Sequence, residues 1–189
     1  GISAVGQRID NSLAGKFGSI HHGHIHGGKI QVSDGTKNGG EVILAPGSVI
    51  DVSGGYEIDT KAGIEAGNAG TVSLSGKALV ADGDFRGHSI LGGSGGGLSL
   101  HTSAISIQRG KPNDKPTLPS GFRFDDILPS ALGERMVFEQ DQLSETGITS
   151  FSLISHQDLI VPNGIALRPS TVKASSPVPA AVSASSGDA

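Results

Sequence analysis

The sequence predicts an all-β protein, a parallel β-helix in which short strands stack as the rungs of a solenoid. Glycine is abundant, with 30 copies in 189 residues, whereas tryptophan is absent and aromatic residues make up only 4%. A core without large side chains has to close with small aliphatic residues in narrow layers. Short β-branched runs also recur between glycine-rich turns at intervals of about 20–50 residues, which are typical of solenoids. An antiparallel β-sandwich is the alternative.

The clearest repeat unit is residues 39–55, which read GGEVILAPGSVIDVSGG. Its valine and isoleucine residues favour extended backbone, because branching at Cβ stiffens the side chain. Pro46 and Gly47 favour a turn between the two runs, since proline fixes φ and glycine tolerates positive φ. Because the unit recurs along the chain, this turn is predicted to be a corner between two sheets rather than a hairpin. Strand alternation sends four of its side chains to one interior: Val42, Leu44, Ile50 and Val52.

Further copies of this unit follow along the chain, with starts at Gly40, Gly70 and Gly97 and a later copy in residues 151–164. A solenoid rung cannot bury its apolar face alone, so stacked rungs share ladder hydrogen bonds. Extra residues between the copies, such as 56–68 and 85–94, can project as loops. The predicted inward residues of the later copies are Val72, Leu74, Leu79, Ala81, Leu98, Leu100, Ile105, Ile107, Leu153, Leu159 and Val161.

The repeats divide the chain into five parts. Proline-rich sequence interrupts the strand pattern after residue 110, and a Ser/Ala/Pro-rich composition at the end is typical of a linker. Helical turns are possible within residues 122–132, and extended structure resumes at Met136. The predicted parts are an N-terminal lead-in (1–16), β-helix rungs (17–110), an insertion on the side of the rod (111–135), further rungs (136–170) and a tail (171–189).

Composition excludes several classes of function. The net charge of −4 leaves no basic surface for phosphate neutralisation, so nucleic acid is not an expected partner. The chain lacks cysteine, which excludes disulfides and thiolate metal sites. No apolar run is long enough to cross a membrane as a helix. No motif for a cofactor is present, and none is expected.

One local feature points to metal chemistry. Four of the seven histidines fall between residues 21 and 26, and a strand with Ile25 facing inward would place His22, His24 and His26 on its outer face. Imidazoles on one face can bind Zn²⁺, Ni²⁺ or Cu²⁺. These three histidines are therefore the candidate metal site, and an exposed polar strand face that binds nothing is the alternative.

An enzyme of the polysaccharide-cleaving kind would need clustered carboxylates on adjacent rungs. In the register drawn from the repeats, outward Asp51 aligns with Val80, Ser106 and Ile160, which supplies no acidic pair. The Asp82-Gly83-Asp84 sequence lacks the further ligands of a calcium loop and is typical of a glycine corner. The sequence thus predicts no catalytic residues.

These repeats resemble the filamentous haemagglutinin family of bacterial two-partner-secretion exoproteins. The residues that carry the resemblance are LAPGSVIDVSGG at 44–55, GTVSL at 70–74, GITSFSL at 147–153 and VPNG at 161–164. The resemblance covers most of residues 27–165 and implies a right-handed parallel β-helix, secreted through an outer-membrane transporter. It also implies that the chain is an internal or C-terminal piece of a long surface protein.

The predicted function is that of a non-catalytic structural and adhesive segment of a large secreted exoprotein at the cell surface. A rigid rod would present loops to a receptor or glycan on a host or neighbouring cell, with residues 56–68 and 111–129 as the expected contact surfaces. A self-assembling extracellular filament subunit is one alternative, since open ladder edges favour self-association. A polysaccharide-cleaving β-helix enzyme is the other.

Overall fold

The chain is all-β, as the sequence predicts. A computed structural model describes residues 1–34, 39–109, 116–123 and 125–167. In chain order its elements are β1 (Ile2–Ser3), β2 (Arg8–Asp10), β3 (Lys29–Ser33), β4 (Glu41–Leu44), β5 (Val49–Asp51), β6 (Tyr56–Ile58), β7 (Ile64–Ala66), β8 (Thr71–Ser75), β9 (Ala78–Ala81), β10 (Asp84–Arg86), β11 (Gly96–Thr102), β12 (Ile105–Gln108), α1 (Ser130–Glu134), β13 (Met136–Glu139), β14 (Ile148–Ser155) and β15 (Leu159–Ile160).

The strands form five small sheets, and parallel pairing dominates them. Their orders are β3-β8-β11-β14, β1-β5-β10, β13-β12-β15, β2-β6-β7 and β4-β9. Within the described ranges, β6 and β7 are the one antiparallel pair. The antiparallel sandwich is therefore wrong for this part of the chain. The predicted loop at 56–68 is also corrected, because β6 and β7 form a short hairpin there.

From β3 to β10 the chain makes two passes through three of the sheets in the same order, and the order changes after β11 because β12 lies in a different sheet from β4 and β9. Strands β3, β4 and β5 pair respectively with β8, β9 and β10, each five strands later. Aliphatic residues meet in register across these pairs, as Ile30 does with Val72 and Val42 with Leu79. The repeat alignment, which equated 39–44 with 69–74, is thus wrong by one strand. Asp51 accordingly aligns with Arg86 instead of Val80.

The Pro46-Gly47 turn is a corner between sheets, as predicted. It joins β4 to β5, which belong to different sheets. Gly47 has a φ of 81°, and the Ser48 N–H donates to the Ala45 carbonyl at 3.0 Å. A positive φ at the residue after proline is what a Pro-Gly turn requires. The Asp82-Gly83-Asp84 segment forms the equivalent corner between β9 and β10.

The main hydrophobic core runs between the sheets and is mostly aliphatic. The twelve inward residues predicted from the first three repeat units, Val42 through Ile107, are all buried in it. Leu153 is only partly buried, while Leu159 and Val161 are 48% and 51% exposed. The inward prediction is therefore wrong for these last two residues. Among the described residues β15 is an edge strand of its sheet, so no neighbouring strand covers the outer side of Leu159.

The segment between β12 and β13 supplies a second, smaller core on the outer side of β9. Leu128 and Leu132 pack there against Ala78 and Val80, so all four residues of β9 are buried. The predicted register aligns Val80 with outward Asp51, and the cover supplied by Leu128 and Leu132 explains why Val80 is buried instead. After α1, strand β13 pairs with β12 and also packs against β9. Residues 110–115, 124 and 168–189, including the predicted tail, lie outside the described residues.

Replacing Leu132 with alanine should destabilise the protein by about 2–4 kcal/mol, because it leaves a cavity between α1 and β9. Leu132 is 6% exposed, whereas Leu91 is 72% exposed and offers a matched control. Urea unfolding followed by circular dichroism would give the free energy of unfolding for both variants. Equal losses for Leu132→Ala and Leu91→Ala would contradict the packing of α1 on the sheet.

Candidate functional site

An open cleft of about 690 Å³ lies beside the corner between β9 and β10. One wall of the cleft is this corner, and the other wall is the segment that links β13 to β14. Its lining combines carboxylates with hydroxyl, amide, imidazole and guanidinium groups. The lining side chains that bear ionisable groups are Asp82, Asp84, Arg86, His88, Glu139, Asp141 and Glu145.

The first wall is fixed by stacking of one corner on another. The Asp82 N–H donates to the Leu44 carbonyl at 2.9 Å, and the Asp84 N–H donates to the Ser48 carbonyl at 2.8 Å. Gly83 is buried at this corner, where a Cβ atom would lie 2.4 Å from the Ser48 hydroxyl oxygen. The close approach of the two corners therefore explains the glycine between the two aspartates.

The second wall is a series of turns held in place by one buried side chain and two hydrogen bonds. Leu143 is 1% exposed and belongs to the main core. The Gln142 side-chain amide donates to the Ala81 carbonyl, and the Gly87 N–H donates to the Thr146 carbonyl at 2.8 Å. These contacts tie the turns to β9 and to the end of β10. Asp141 and Glu145 remain exposed at the cleft.

The chemistry of the cleft is that of an acidic, hydrogen-bonding surface. Its lining carries five carboxylates and the guanidinium of Arg86. Carboxylates accept hydrogen bonds and attract cations, and Arg86 adds donors in a fork geometry. Such a mixture suits a hydroxyl-rich or cationic ligand. In the part of the chain that the structure describes, no three His, Cys, Asp or Glu side chains are grouped so that they could hold a metal ion.

Sequence reasoning missed this cleft because it depends on pairing between distant strands. The expected contact surfaces were 56–68 and 111–129, and of those ranges only Thr117 lines the cleft. Residues 110–115 and 124 of the second range are not described. The available signal is the acidic run from Glu139 to Glu145, which has no aliphatic alternation and therefore does not stand out as a strand.

The histidine segment differs from its predicted form. Residues 19–28 contain no strand, so His22, His24 and His26 do not share a strand face. The four histidines between 21 and 26 are exposed, whereas Ile25 is buried as expected. Backbone groups of the segment are held by Asn11 and Gln7, and the His26 Nδ1 accepts a hydrogen bond from the Asn68 N–H at 3.0 Å. The structure therefore does not assemble the predicted metal site.

A shallow depression adjoins this segment, lined in part by Arg8, Asp10, His21 and His22. Hydrogen bonds from the side chain and the backbone N–H of Ser12 hold the pKa of Asp10 below its ordinary value. This carboxylate is fully exposed, so its charge is screened by solvent. The depression is less enclosed than the acidic cleft.

No family model, curated protein or solved structure gives a significant match to this chain. Among the described residues, no helix is both long and apolar enough to cross a membrane.

Proposed function

We propose that the chain is a right-handed parallel β-helix that serves as a structural and adhesive segment of a secreted bacterial surface protein. The observation that carries this proposal is the repeated order of sheets, in which β3-β4-β5 is followed five strands later by β8-β9-β10 with parallel, in-register pairing. Parallel crossover connections are right-handed in about 98% of cases, which favours a right-handed coil.

A stacked aliphatic core supports a mechanical role. Each layer contributes interior residues in line with those of the next, as Val32, Leu74, Leu100 and Leu153 do across the four-stranded sheet. Hydrogen bonds between strands then run along the axis of the stack, and local bending requires several of them to break. A rigid support of this kind holds surface loops at fixed positions.

The surface context of the protein is part of the same proposal. Resemblance to the filamentous haemagglutinin family supports secretion through an outer-membrane transporter, with a receptor or glycan on another cell as the partner. The acidic cleft is the concave surface at which a hydroxyl-rich ligand could be held by carboxylates and Arg86. Self-association into a filament stays a prediction, which light scattering at high concentration would test.

Binding of oligosaccharides or of cells to the immobilised protein should fall when the cleft loses charge. Asp84→Asn with Asp141→Asn removes two exposed carboxylates, and we expect at least a tenfold weaker interaction, equivalent to about 1.4 kcal/mol. Glycan-array binding followed by titration calorimetry would measure it. Asp125→Asn with Glu65→Gln is the matched control, because both residues are exposed and neither lines the cleft. Equal binding by the two double variants would contradict a role for the cleft.

A polysaccharide-cleaving enzyme is the second candidate, and the clustered carboxylates of the cleft favour it. General acid-base cleavage of a glycosidic bond uses two carboxyl groups on opposite sides of the bond. The same oligosaccharides that bind should then yield new reducing ends or lose polymer viscosity on incubation. Binding without cleavage supports the adhesive function, and cleavage that Asp84→Asn abolishes would replace it with the enzymatic one.

A further inference from the structure

Two histidines that are 55 positions apart in sequence meet on the outer surface of the four-stranded sheet. The ring centroids of His101 and His156 are 4.5 Å apart, and the ring planes are inclined at 42°. His101 lies in β11 with its side chain on the side opposite to buried Leu100 and Thr102, and His156 directly follows β14. The pair belongs neither to the acidic cleft nor to the histidine segment at 21–26.

Parallel pairing of β11 with β14 produces this contact. His101 is in register with Ile154, so His156 stands two positions further along the neighbouring strand direction. Diagonal neighbours of this kind are within reach of ring-sized side chains. The position of His156 is fixed by its N–H, which donates to the Thr102 carbonyl at 3.2 Å, and by the Gln157 N–H, which donates to the Ser103 carbonyl at 2.8 Å.

One ring nitrogen of the pair has no evident structural role. The Nε2 atom of His101 is buried and has no hydrogen-bond partner among the described residues. A buried polar atom without a partner costs stability, and native structures seldom retain one without a reason. His156 is exposed, so its ring can turn without disturbing the core. An ion that accepts both imidazoles would satisfy the buried nitrogen.

We propose that His101 and His156 form a bidentate imidazole site for a borderline divalent cation, with Cu²⁺ preferred over Ni²⁺ and Zn²⁺. With metal–nitrogen bonds of about 2.0–2.1 Å, each ring centroid lies about 3.2 Å from the ion. When two such rings occupy adjacent coordination positions, a nitrogen–metal–nitrogen angle of about 90–109° places their centroids about 4.5–5.2 Å apart. The observed 4.5 Å separation falls at the lower end of this range. Water completes the coordination.

The preference among metals follows from the ligand type. Imidazole suits copper, nickel and zinc, and affinity for a given nitrogen site rises to a maximum at Cu²⁺ along the divalent series. Calcium and magnesium prefer oxygen ligands and should not bind. Asp158, the nearest carboxylate along the chain, is paired with Arg135 at 3.4 Å and is not needed as a ligand.

The test uses the full chain without an affinity tag, in a background where His21, His22, His24 and His26 are replaced by alanine. This background removes four exposed histidines that could bind copper themselves because they lie close together in the sequence. Titration calorimetry with Cu²⁺ should show one bound ion, and the electron paramagnetic resonance spectrum should show hyperfine splitting from imidazole nitrogen. Outer-shell changes at metal sites cost about 10–100-fold in affinity, so losing a ligand through His156→Gln should cost at least about 100-fold.

His101→Gln should have the same effect, and His88→Gln should have none, because His88 lies at the acidic cleft. Since His156 is exposed, His156→Gln tests the site without depending on whether the His101 variant folds. Weakened binding in both variants supports the bidentate site. Absence of copper binding in the four-alanine background, or binding unchanged by either replacement, overturns it.

Discussion

Replacing Ile50 with aspartate is expected to unfold the protein. Ile50 is 1% exposed and lies in β5, the central strand of its sheet, between Ile2 of β1 and Phe85 of β10. The change removes an aliphatic side chain from a close-packed layer and buries a carboxyl group without a partner. Together these effects should cost about 5 kcal/mol or more, which matches the whole stability of many domains. Far-UV circular dichroism and size-exclusion chromatography would detect the loss.

The neighbouring residue provides the control. Asp51 points to the other face of β5, and its carboxylate accepts a hydrogen bond from the Ser53 N–H at 2.9 Å. Asp51→Ala removes this one contact at a partly exposed position, and should cost about 0.5–1.5 kcal/mol. Comparable unfolding by the two variants would mean that alternation along β5 does not separate an interior from a surface.

Alternation was a sound guide to which side chains face the core, but it could not fix which strands pair. Valine and leucine alternate in the same way in β4 and β8, so the repeat pattern alone predicts that these two strands are equivalent. In the structure β8 pairs with β3 and β11, and β4 pairs with β9. Register between parallel strands is set by all the layers together, and a short repeat carries too little information to specify it.

Features that arise from contacts between distant segments escaped sequence reasoning for the same reason. Val80 alternates as a surface residue, yet Leu128 and Leu132 cover it from a segment about fifty positions later. Strand β13 was recognised as extended structure, but nothing in its sequence indicates that it packs between β9 and β12. The acidic cleft and the contact between His101 and His156 likewise depend on these placements.

The high glycine content has a local explanation in the structure, whereas the expectation of a core closed only by small aliphatic side chains is wrong, because Phe85 and Phe138 are buried in it. At the entrance to the four-stranded sheet, backbone segments from successive passes touch. The Gly70 N–H donates to the Val52 carbonyl at 2.7 Å, and the Gly97 N–H donates to the Gly70 carbonyl at 3.0 Å. Glycine permits this approach because it has no Cβ atom.

Replacing Gly70 with alanine should therefore be severely destabilising, although it adds only one methyl group. A Cβ atom at Gly70 would lie 1.8 Å from the Gly28 carbonyl oxygen, which is backbone and cannot move independently. Removing this clash would require β8 to move away from β3, and the movement would break the hydrogen bonds at this corner. We expect a loss of about 3 kcal/mol or more, measured as the change in urea midpoint with an unaltered slope.

Gly133 and Gly18 are the controls that separate this steric effect from the general entropy of glycine. A Cβ atom at Gly133 would meet only the Leu128 Cδ2 at 3.9 Å, and at Gly18 it would meet nothing within 4 Å. Gly133 lies in α1, and Gly133→Ala should stabilise the protein by up to about 1 kcal/mol because alanine favours the helix. If Gly70→Ala behaved like either control, the two passes of the chain could not be in backbone contact at this corner, and the stacked arrangement of β3, β8 and β11 would have to be abandoned.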